Sequence, residues 1–298
     1  MDLRRVRHFI TLAETLNFRK AAARLHMAQP PLSVYIQKLE AELGTRLFVR
    51  TPNGVTLTPS GQAALQEARR LMFHGTQFMQ IARNAPEGGG TLHVGFVASS
   101  AHGMLQTLVP RFRSAYPGVE LALHEATSAQ IVQSLEEDML DVGLVRTPLA
   151  SRSATSLVPL QNDELIAALP RTSPLGSKPS LELGDLADEP FIMYTPSEAG
   201  GLHAAAMLAC QQSGFLPHVS QEAVQVQTVL ALVESGVGVA LVPSTMQRLA
   251  SDRVACRRLT NCPPAAVIGH ALIYRREMET AAALRFRLLA SQVFPPGR

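Results

Sequence analysis

The sequence predicts an α/β protein whose first third is helical and whose remainder alternates strands with helices. Apolar residues recur at helical spacing up to about residue 43, and a longer run of the same period follows residue 58. From residue 91, short apolar segments typical of strands, one of them near Leu165–Leu169, alternate with helical segments. This alternation predicts a mostly parallel sheet covered on both faces by helices. The glycine-rich segment 84–90 separates the two patterns, and 46% hydrophobic residues are enough to fill the cores of both parts.

Residues 1–58 predict a winged helix-turn-helix domain. Three short helices are indicated by apolar positions within residues 3–13, 21–25 and 32–43. The small Ala21 and Ala22 allow two helices to cross closely, and Pro31 suits the first turn of the third helix, where no backbone donor is needed. Two short strands, 47–50 and 55–57, flank Pro52-Asn53-Gly54, a sequence typical of a hairpin turn.

A long helix is predicted to start at Thr58-Pro59, where a hydroxyl cap precedes a proline, and to run to about Arg83. Its apolar stripe follows a 4-3 spacing typical of paired helices: Gly61, Leu65, Ala68, Met72, Gly75, Met79 and Ala82, widened by Ala64, Leu71 and Phe78. We therefore expect two copies of the chain to pair through this helix, with packing on its own domain as the alternative. Residues 59–90 form the predicted linker, ending in a flexible hinge at Gly88–Gly90.

The N-terminal part is basic, because residues 1–90 contain 12 Lys and Arg against 6 Asp and Glu, whereas residues 91–298 contain 15 against 18. A basic helix-turn-helix predicts double-stranded DNA as the partner, with the second helix of the motif in the major groove. Gln and Ser would bond base edges, Pro and Val would touch thymine methyl groups, and Arg and Lys would bind phosphates. The candidate DNA contacts are Arg19, Lys20, Gln29, Pro30, Pro31, Ser33, Val34, Gln37, Lys38, Arg50 and Asn53.

No motif for catalysis, metal binding or a cofactor is indicated. His124-Glu125 lacks a second histidine at zinc-protease spacing, and Gly236-Val237-Gly238 precedes a predicted strand rather than a helix. The three cysteines, Cys210, Cys256 and Cys262, do not have zinc-site spacing and are too few for a disulfide scaffold. Since the sequence also contains no apolar run long enough to span a membrane and no secretion signal, we expect a soluble, cytoplasmic protein that is neither an enzyme nor a secreted solute-binding protein.

The N-terminal sequence resembles the LysR-type transcriptional regulators, and the resemblance extends over the whole chain. It is carried by the helix-turn-helix at 17–33, by its continuation through 39–50 and by Leu57-Thr58-Pro59-Ser60-Gly61. Two positions differ from the family pattern: Ala28 replaces a capping Ser or Thr, and Val34 replaces a frequent Arg. The resemblance implies a transcriptional regulator that binds DNA as a homo-oligomer, a dimer through the linker helix and then a tetramer, with RNA polymerase as a further partner.

The same resemblance implies that residues 91–298 form a two-lobed α/β sensor, like periplasmic solute-binding proteins, with a small-molecule effector in the cleft. The expected boundaries are 91–162 and 267–298 for lobe I and 163–266 for lobe II. Ser99 and Ser100 follow the first strand and precede a helix, and Thr127 and Ser128 follow the second strand, where we expect them to cap the next helix. Helix N-termini at such positions favour anions. The sequence therefore predicts a small organic acid as the effector.

Within the family, the sensor is most similar to the regulators of aromatic-compound degradation that respond to muconate- or benzoate-type acids. The matching segments are 94–99, 126–130, 142–146 and 222–227. The loop 195–203 differs, because it lacks the lysine and the aromatic residue of the muconate-responsive regulators. The candidate effector contacts are Ser99, Ser100, Thr127, Ser128, Arg146, Tyr194, Leu202 and Gln227. An amino-acid derivative, a redox signal or no small molecule remain the alternatives.

Overall fold

A computed structural model of the chain describes residues 2–51, 54–84, 90–150, 153–260 and 263–295. It divides into two compact units, residues 1–89 and residues 90–298, and each is described by itself. Among the described residues, no helix combines the length and hydrophobicity needed to cross a membrane.

The described residues of the N-terminal unit form four helices and one two-stranded sheet. Its elements are α1 (Leu3–Thr15), α2 (Phe18–Arg24), α3 (Gln29–Leu43), β1 (Phe48–Thr51), β2 (Gly54–Leu57) and α4 (Pro59–Asn84). β1 and β2 pair antiparallel, with Phe48 opposite Leu57. These elements confirm the predicted helix-turn-helix, wing and long helix. The turn residues Pro52 and Asn53 lie outside the described residues.

Side-chain caps from Asp2, Asn17 and Thr58 define where α1, α2 and α4 begin. The Asn17 side chain accepts hydrogen bonds from the backbone N–H groups of Arg19 and Lys20, both at 3.0 Å. The Thr58 hydroxyl accepts one from the Gly61 N–H at 2.9 Å, as its predicted capping role requires. Ala28 occupies the cap position of α3 and makes no side-chain bond there. This helix therefore begins without the cap that a Ser or Thr would supply, an interaction of about 1 kcal/mol.

The core of this unit lies between α1, α3 and the first half of α4. Leu12, Leu32 and Ile36 are fully buried, and Ala64, Leu65 and Ala68 of α4 pack against the same cluster. Gly61 is required by close packing, because a Cβ atom there would lie 2.1 Å from the Leu47 carbonyl oxygen. Further along α4, Phe78 is 73% exposed and Met79 is 48% exposed. The helix thus packs on its own domain at one end and presents apolar side chains at the other.

The C-terminal unit contains ten strands and six α-helices in its described residues. The strands are β3 (Gly90–Phe96), β4 (Val119–Glu125), β5 (Val142–Thr147), β6 (Ser156–Pro170), β7 (Ser180–Glu182), β8 (Pro190–Tyr194), β9 (His218–Ala223), β10 (Ala240–Pro243), β11 (Val254–Thr260) and β12 (Val267–Tyr274). The helices are α5 (Ala98–Ser100), α6 (Gln106–Ala115), α7 (Ser128–Glu136), α8 (Gly200–Gln212), α9 (Val226–Glu234) and α10 (Ala281–Val293).

One long strand, β6, joins the two lobes of this unit. The main sheet has the order β4-β3-β5-β12-β6-β11-β7, and β10 also pairs with β6. Residues 156–164 of β6 pair with β12, whereas residues 165–170 pair with β10 and β11. A second sheet contains β8 and β9, and a bridge joins Phe191 to Val239. The largest buried apolar cluster is formed by residues within 165–268. A separate cluster is formed by residues within 92–160 and 272–290, so each lobe has its own core.

The expectation of a mostly parallel sheet is wrong. Of the described strand pairings in this unit, β3–β4, β3–β5, β7–β11 and β8–β9 are parallel. The pairings of β6 with β10, β11 and β12, and of β5 with β12, are antiparallel. The strand β6 begins at Ser156, nine residues before the predicted start at Leu165, and this added segment pairs with β12. Both β6 and β12 are antiparallel to the strands with which they pair. The mixed directions still build an α/β fold.

Candidate functional site

The outer face of α3 carries the predicted base-contacting side chains. Leu32, Ile36 and Leu39 are buried and fix the orientation of the helix. The opposite face is exposed and contains Gln29, Pro30, Pro31, Val34, Gln37 and Lys38. Because these residues cluster at the N-terminal half of the second helix of the motif, they lie where a major-groove helix presents its side chains.

Basic side chains border this face. Arg19 and Lys20 are exposed at the start of α2. The Arg50 guanidinium, from β1, donates a hydrogen bond to the Ser33 hydroxyl at 3.0 Å and lies 4.9 Å from the centre of the Phe18 ring. Arg50 therefore contacts α2 and α3 together, an arrangement that the sequence did not predict. Asn53, the remaining candidate, lies outside the described residues.

A cleft of about 90 Å³ lies between segments of the two lobes. It is lined from lobe I by residues 97–99, 126–129, 132, 146 and 148–150, and from lobe II by residues 197–202 and 224–226. The segments pack closely, because a Cβ atom on Gly201 would lie 1.8 Å from the Pro148 carbonyl oxygen. A glycine at the start of α8 is thus a condition for this cleft geometry.

The N-terminus of α7 forms one wall of the cleft. Thr127 caps the helix, since its hydroxyl accepts from the Gln130 N–H at 3.3 Å while the Gln130 side chain accepts from the Thr127 N–H at 3.0 Å. The Ser128 hydroxyl accepts from the backbone N–H of Arg146 at 3.2 Å. From lobe II, the Glu198 carboxylate accepts a long hydrogen bond from the Thr127 hydroxyl, at 3.4 Å.

A buried ion pair lies at the base of the cleft. Arg146, 4% exposed, donates to Asp163 at 2.6 Å. Asp163 also accepts from the hydroxyls of Ser244 at 2.7 Å and Thr245 at 2.6 Å. Burial alone would raise the pKa of Asp163, but the hydrogen bonds and the Arg146 charge hold that pKa below its ordinary value. The carboxylate is therefore ionised, and it neutralises the buried guanidinium.

Other polar groups surround this ion pair. The Ser99 hydroxyl lies 3.4 Å from Nε2 of His270, which is 3% exposed. Burial and the nearby Arg146 charge lower the pKa of His270 to about 3, so its ring is neutral at physiological pH. Beside this ion pair, buried polar atoms without a hydrogen-bond partner among the described residues include Nε and Nη2 of Arg146, the Tyr194 hydroxyl oxygen and Nδ1 of His270. Such groups carry a desolvation cost that a ligand or water would offset.

The predicted effector residues divide into two groups. Ser99, Thr127, Ser128, Arg146 and Leu202 line the cleft together. Ser100, Tyr194 and Gln227 are not part of its lining. Ser100 instead donates its hydroxyl to the Val97 carbonyl at 2.7 Å, Tyr194 is buried at the end of β8, and Gln227 is half-buried in the first turn of α9.

Three important residues were not predicted: Asp163, Glu198 and His270. For His270 a signal existed, because a lone histidine interrupts the apolar run 267–274. Asp163 lies within β6, but the strand predicted from the sequence started only near Leu165. Glu198 lies within the loop 195–203. The sequence indicated only that this loop lacks the lysine and the aromatic residue of the muconate-responsive regulators, and gave no role to its acidic residue.

The thiols whose positions are described do not favour redox sensing. Burial raises the pKa of Cys210 to about 12 and also raises the pKa of Cys256, so neither forms a reactive thiolate at neutral pH. Cys262 lies outside the described residues. No group of three or more His, Cys, Asp or Glu side chains within the described ranges could hold a metal ion.

Comparisons with known proteins agree with this architecture. The model for bacterial regulatory helix-turn-helix proteins of the lysR family matches residues 3–62, and the LysR substrate binding domain matches residues 85–295. AlsR of Bacillus subtilis, a transcriptional regulator, is 36% identical over 87% of this chain and 86% of its own length. CatR of Pseudomonas putida is 38% identical over 83% of this chain and 84% of its own.

Among solved structures, the LysR family transcriptional regulator CbnR superposes with a TM-score of 0.83 at 23% identity, covering 98% of this chain and 99% of CbnR. This likeness concerns the fold. The relatives named above are transcriptional regulators rather than enzymes. Since the two family models cover both units of the chain, it belongs to the LysR family of DNA-binding transcriptional regulators.

Proposed function

We propose that a small organic acid binds in the inter-lobe cleft and changes how this regulator occupies or activates its promoter. The single observation that carries the proposal is the set of unused donors at the cleft. Two N–H-bearing atoms of the buried Arg146 have no partner among the described residues, and the start of α7 supplies further N–H groups beside them. Both features favour a carboxylate.

The donor set includes residues predicted from the sequence. Ser99 and Thr127 line the cleft, and their hydroxyls make long contacts, 3.4 Å to His270 and 3.4 Å to Glu198. Contacts of this length are weak and are easily exchanged for shorter bonds to a ligand. Benzoate and muconate are the first acids to test, because the sensor segments resemble those of regulators that respond to such acids.

The proposed active form is a homo-oligomer in which α4 pairs two copies of the chain. Phe78 and Met79 support this, because both lie exposed on the predicted apolar stripe. Pairing would place two basic helix-turn-helix units on one palindromic site and favour electrostatic attraction to DNA. Tetramer formation and contact with RNA polymerase are parts of the same proposal.

Footprinting on the promoter region upstream of the gene tests the DNA-binding part. We expect salt-sensitive protection of a specific site by the full-length protein. Gln29→Ala should reduce discrimination between the site and unrelated DNA, whereas Lys20→Ala should weaken binding to both about equally. Equal loss of discrimination in the two variants would contradict the assignment of α3 as the base-contacting helix.

Ser99→Ala and Thr127→Ala test the effector part. Both should leave DNA affinity unchanged while reducing the thermal stabilisation and the footprint change caused by added acid. Ser100→Ala is the matched control, because its hydroxyl bonds the Val97 carbonyl and does not line the cleft. If neither benzoate nor muconate, nor a panel of other small carboxylates, stabilises the wild-type protein, the proposal is wrong.

A further inference from the structure

Glu198 gives the cleft a feature that a site for a simple anion does not need. Among the residues that line the cleft, the charged side chains are those of Arg146 and Glu198. They come from opposite lobes, Arg146 from β5 and Glu198 from the loop that precedes α8. A ligand in this cleft therefore meets a cation on one side and a carboxylate on the other.

The charge balance of the cleft makes this arrangement selective. Arg146 is already neutralised by Asp163 at 2.6 Å, so its positive charge is not in excess. Glu198 has no cationic partner within the described residues, and its hydrogen bond comes from the neutral Thr127 hydroxyl. A ligand that is only an anion would add a second negative charge to the cleft that Glu198 lines, and like charges at close range repel each other.

The position of Glu198 also places it in competition with a bound acid. Its carboxylate occupies the Thr127 hydroxyl at the N-terminus of α7, where the proposed function places the carboxylate of the effector. When that acid enters, Glu198 loses its donor and needs another. A protonated amine on the ligand would supply one, with a charge-assisted hydrogen bond stronger than the one lost.

We infer that Glu198 determines effector specificity by binding a protonated amine, so that the effector is a small zwitterion of the amino-acid type. This inference rests on the proposed function, because it assigns the second polar group of the same ligand. The carboxylate of the ligand bonds Arg146 and the start of α7, and its ammonium group bonds Glu198. The ligand is compact, since a cleft of about 90 Å³ is well below the roughly 300 Å³ at which pockets for drug-sized molecules begin.

Matched pairs of acids test this inference with the full-length protein. Each pair consists of an amino acid and the same acid without its amino group: alanine and propanoate, leucine and 4-methylpentanoate, phenylalanine and 3-phenylpropanoate. Affinities are measured by calorimetry and thermal shift at constant pH and salt. In at least one pair the aminated member should bind tenfold or more tightly, and Glu198→Gln should reduce that preference at least tenfold. Asp188→Asn, which removes a carboxylate from an exposed position of lobe II, should leave the preference unchanged.

The outcomes separate this inference from the proposed function. If the acids without an amino group bind the wild type as tightly as their aminated partners, the proposed function stands and the role of Glu198 is wrong. The same conclusion follows if Glu198→Gln retains the wild-type preference. If no member of any pair binds, both the proposed function and the inference are refuted for ligands of this size. Unchanged far-ultraviolet circular dichroism of Glu198→Gln verifies that the variant is folded.

Discussion

Replacing Asp163 by asparagine should destabilise the sensor more than most single substitutions would. The carboxylate accepts hydrogen bonds from Arg146, Ser244 and Thr245 and from the backbone N–H of Glu164. Asparagine keeps one acceptor oxygen, presents an N–H₂ group to donors that need an acceptor, and removes the charge that balances Arg146. A buried ion pair broken on one side costs about 3–5 kcal/mol, because the remaining charge stays buried.

Thermal and urea unfolding of the full-length protein, followed by circular dichroism, measures this effect. For a domain of this size, 3–5 kcal/mol corresponds to a fall in Tm of roughly 6–20 °C. The control is Asp185→Asn, because Asp185 forms an ion pair with Lys178 at 3.1 Å in which both side chains are partly exposed. Its Tm should stay close to that of the wild type.

A double variant separates burial of the charge from loss of packing. Arg146→Met combined with Asp163→Leu removes both charges and should recover most of the stability lost in Asp163→Asn, since paired removal leaves no isolated charge. If Asp163→Asn and Asp185→Asn lower the Tm equally, Arg146 is solvated through the cleft, and the reasoning from burial is refuted.

Three further predictions concern pH, packing and assembly. Because the pKa of His270 is lowered from 6.5 to about 3, the stability contributed by its neutral ring is kept above pH 6.5 and is lost as the pH falls below it. His270→Gln should therefore abolish about 2 kcal/mol of the loss between pH 7 and pH 5 in urea unfolding, and an unchanged loss would contradict this reasoning. Gly201→Ala should weaken effector binding at least tenfold in calorimetry, since a Cβ atom there would overlap the Pro148 carbonyl at 1.8 Å; wild-type affinity would contradict the described cleft. Phe78→Glu should convert the oligomer to monomers in analytical ultracentrifugation, because it places a charge on the exposed apolar stripe of α4; an unchanged mass would exclude pairing there.

The N-terminal unit was predictable from sequence because its signals are local. Helical periodicity, the Thr58 cap and the residues around Gly54 each act within a few residues of the structure that they determine. The absence of a side-chain cap at Ala28 was instead expected from comparison with the family pattern. The engagement of Arg50 with Ser33 and Phe18 was not, because it depends on how β1 packs against two helices distant in the chain.

The sensor was less predictable because its critical contacts join distant segments. Thr127 was correctly expected to cap a helix, since a capping box is local. Asp163 bonds residues 17 positions before it and 82 positions after it, and no pattern in the segment 156–164 indicates those partners. The segment 156–164 contains polar residues and therefore did not show the apolar pattern of a strand. It pairs with β12 in the structure, so the sequence predicted neither this strand nor the antiparallel direction of its pairing.

The position of Asp163 explains why a costly buried ion pair is retained at the cleft. The two residues that follow it on β6 pair with strands of different lobes. Glu164 lies opposite Val267 of β12 in lobe I, and Leu165 lies opposite Pro243 of β10 in lobe II. At this change of partner, Asp163 bonds Arg146 from β5 and also Ser244 and Thr245, which follow β10. A ligand carboxylate at Nε and Nη2 of Arg146 shares the guanidinium with Asp163, which bonds Nη1, and the hydroxyl donors that compensate Asp163 belong to lobe II. We therefore expect ligand binding in the cleft to be coupled to the relative positions of the two lobes. Even if an apolar residue at position 163 stabilised the fold more than this ion pair does, it would not provide that coupling.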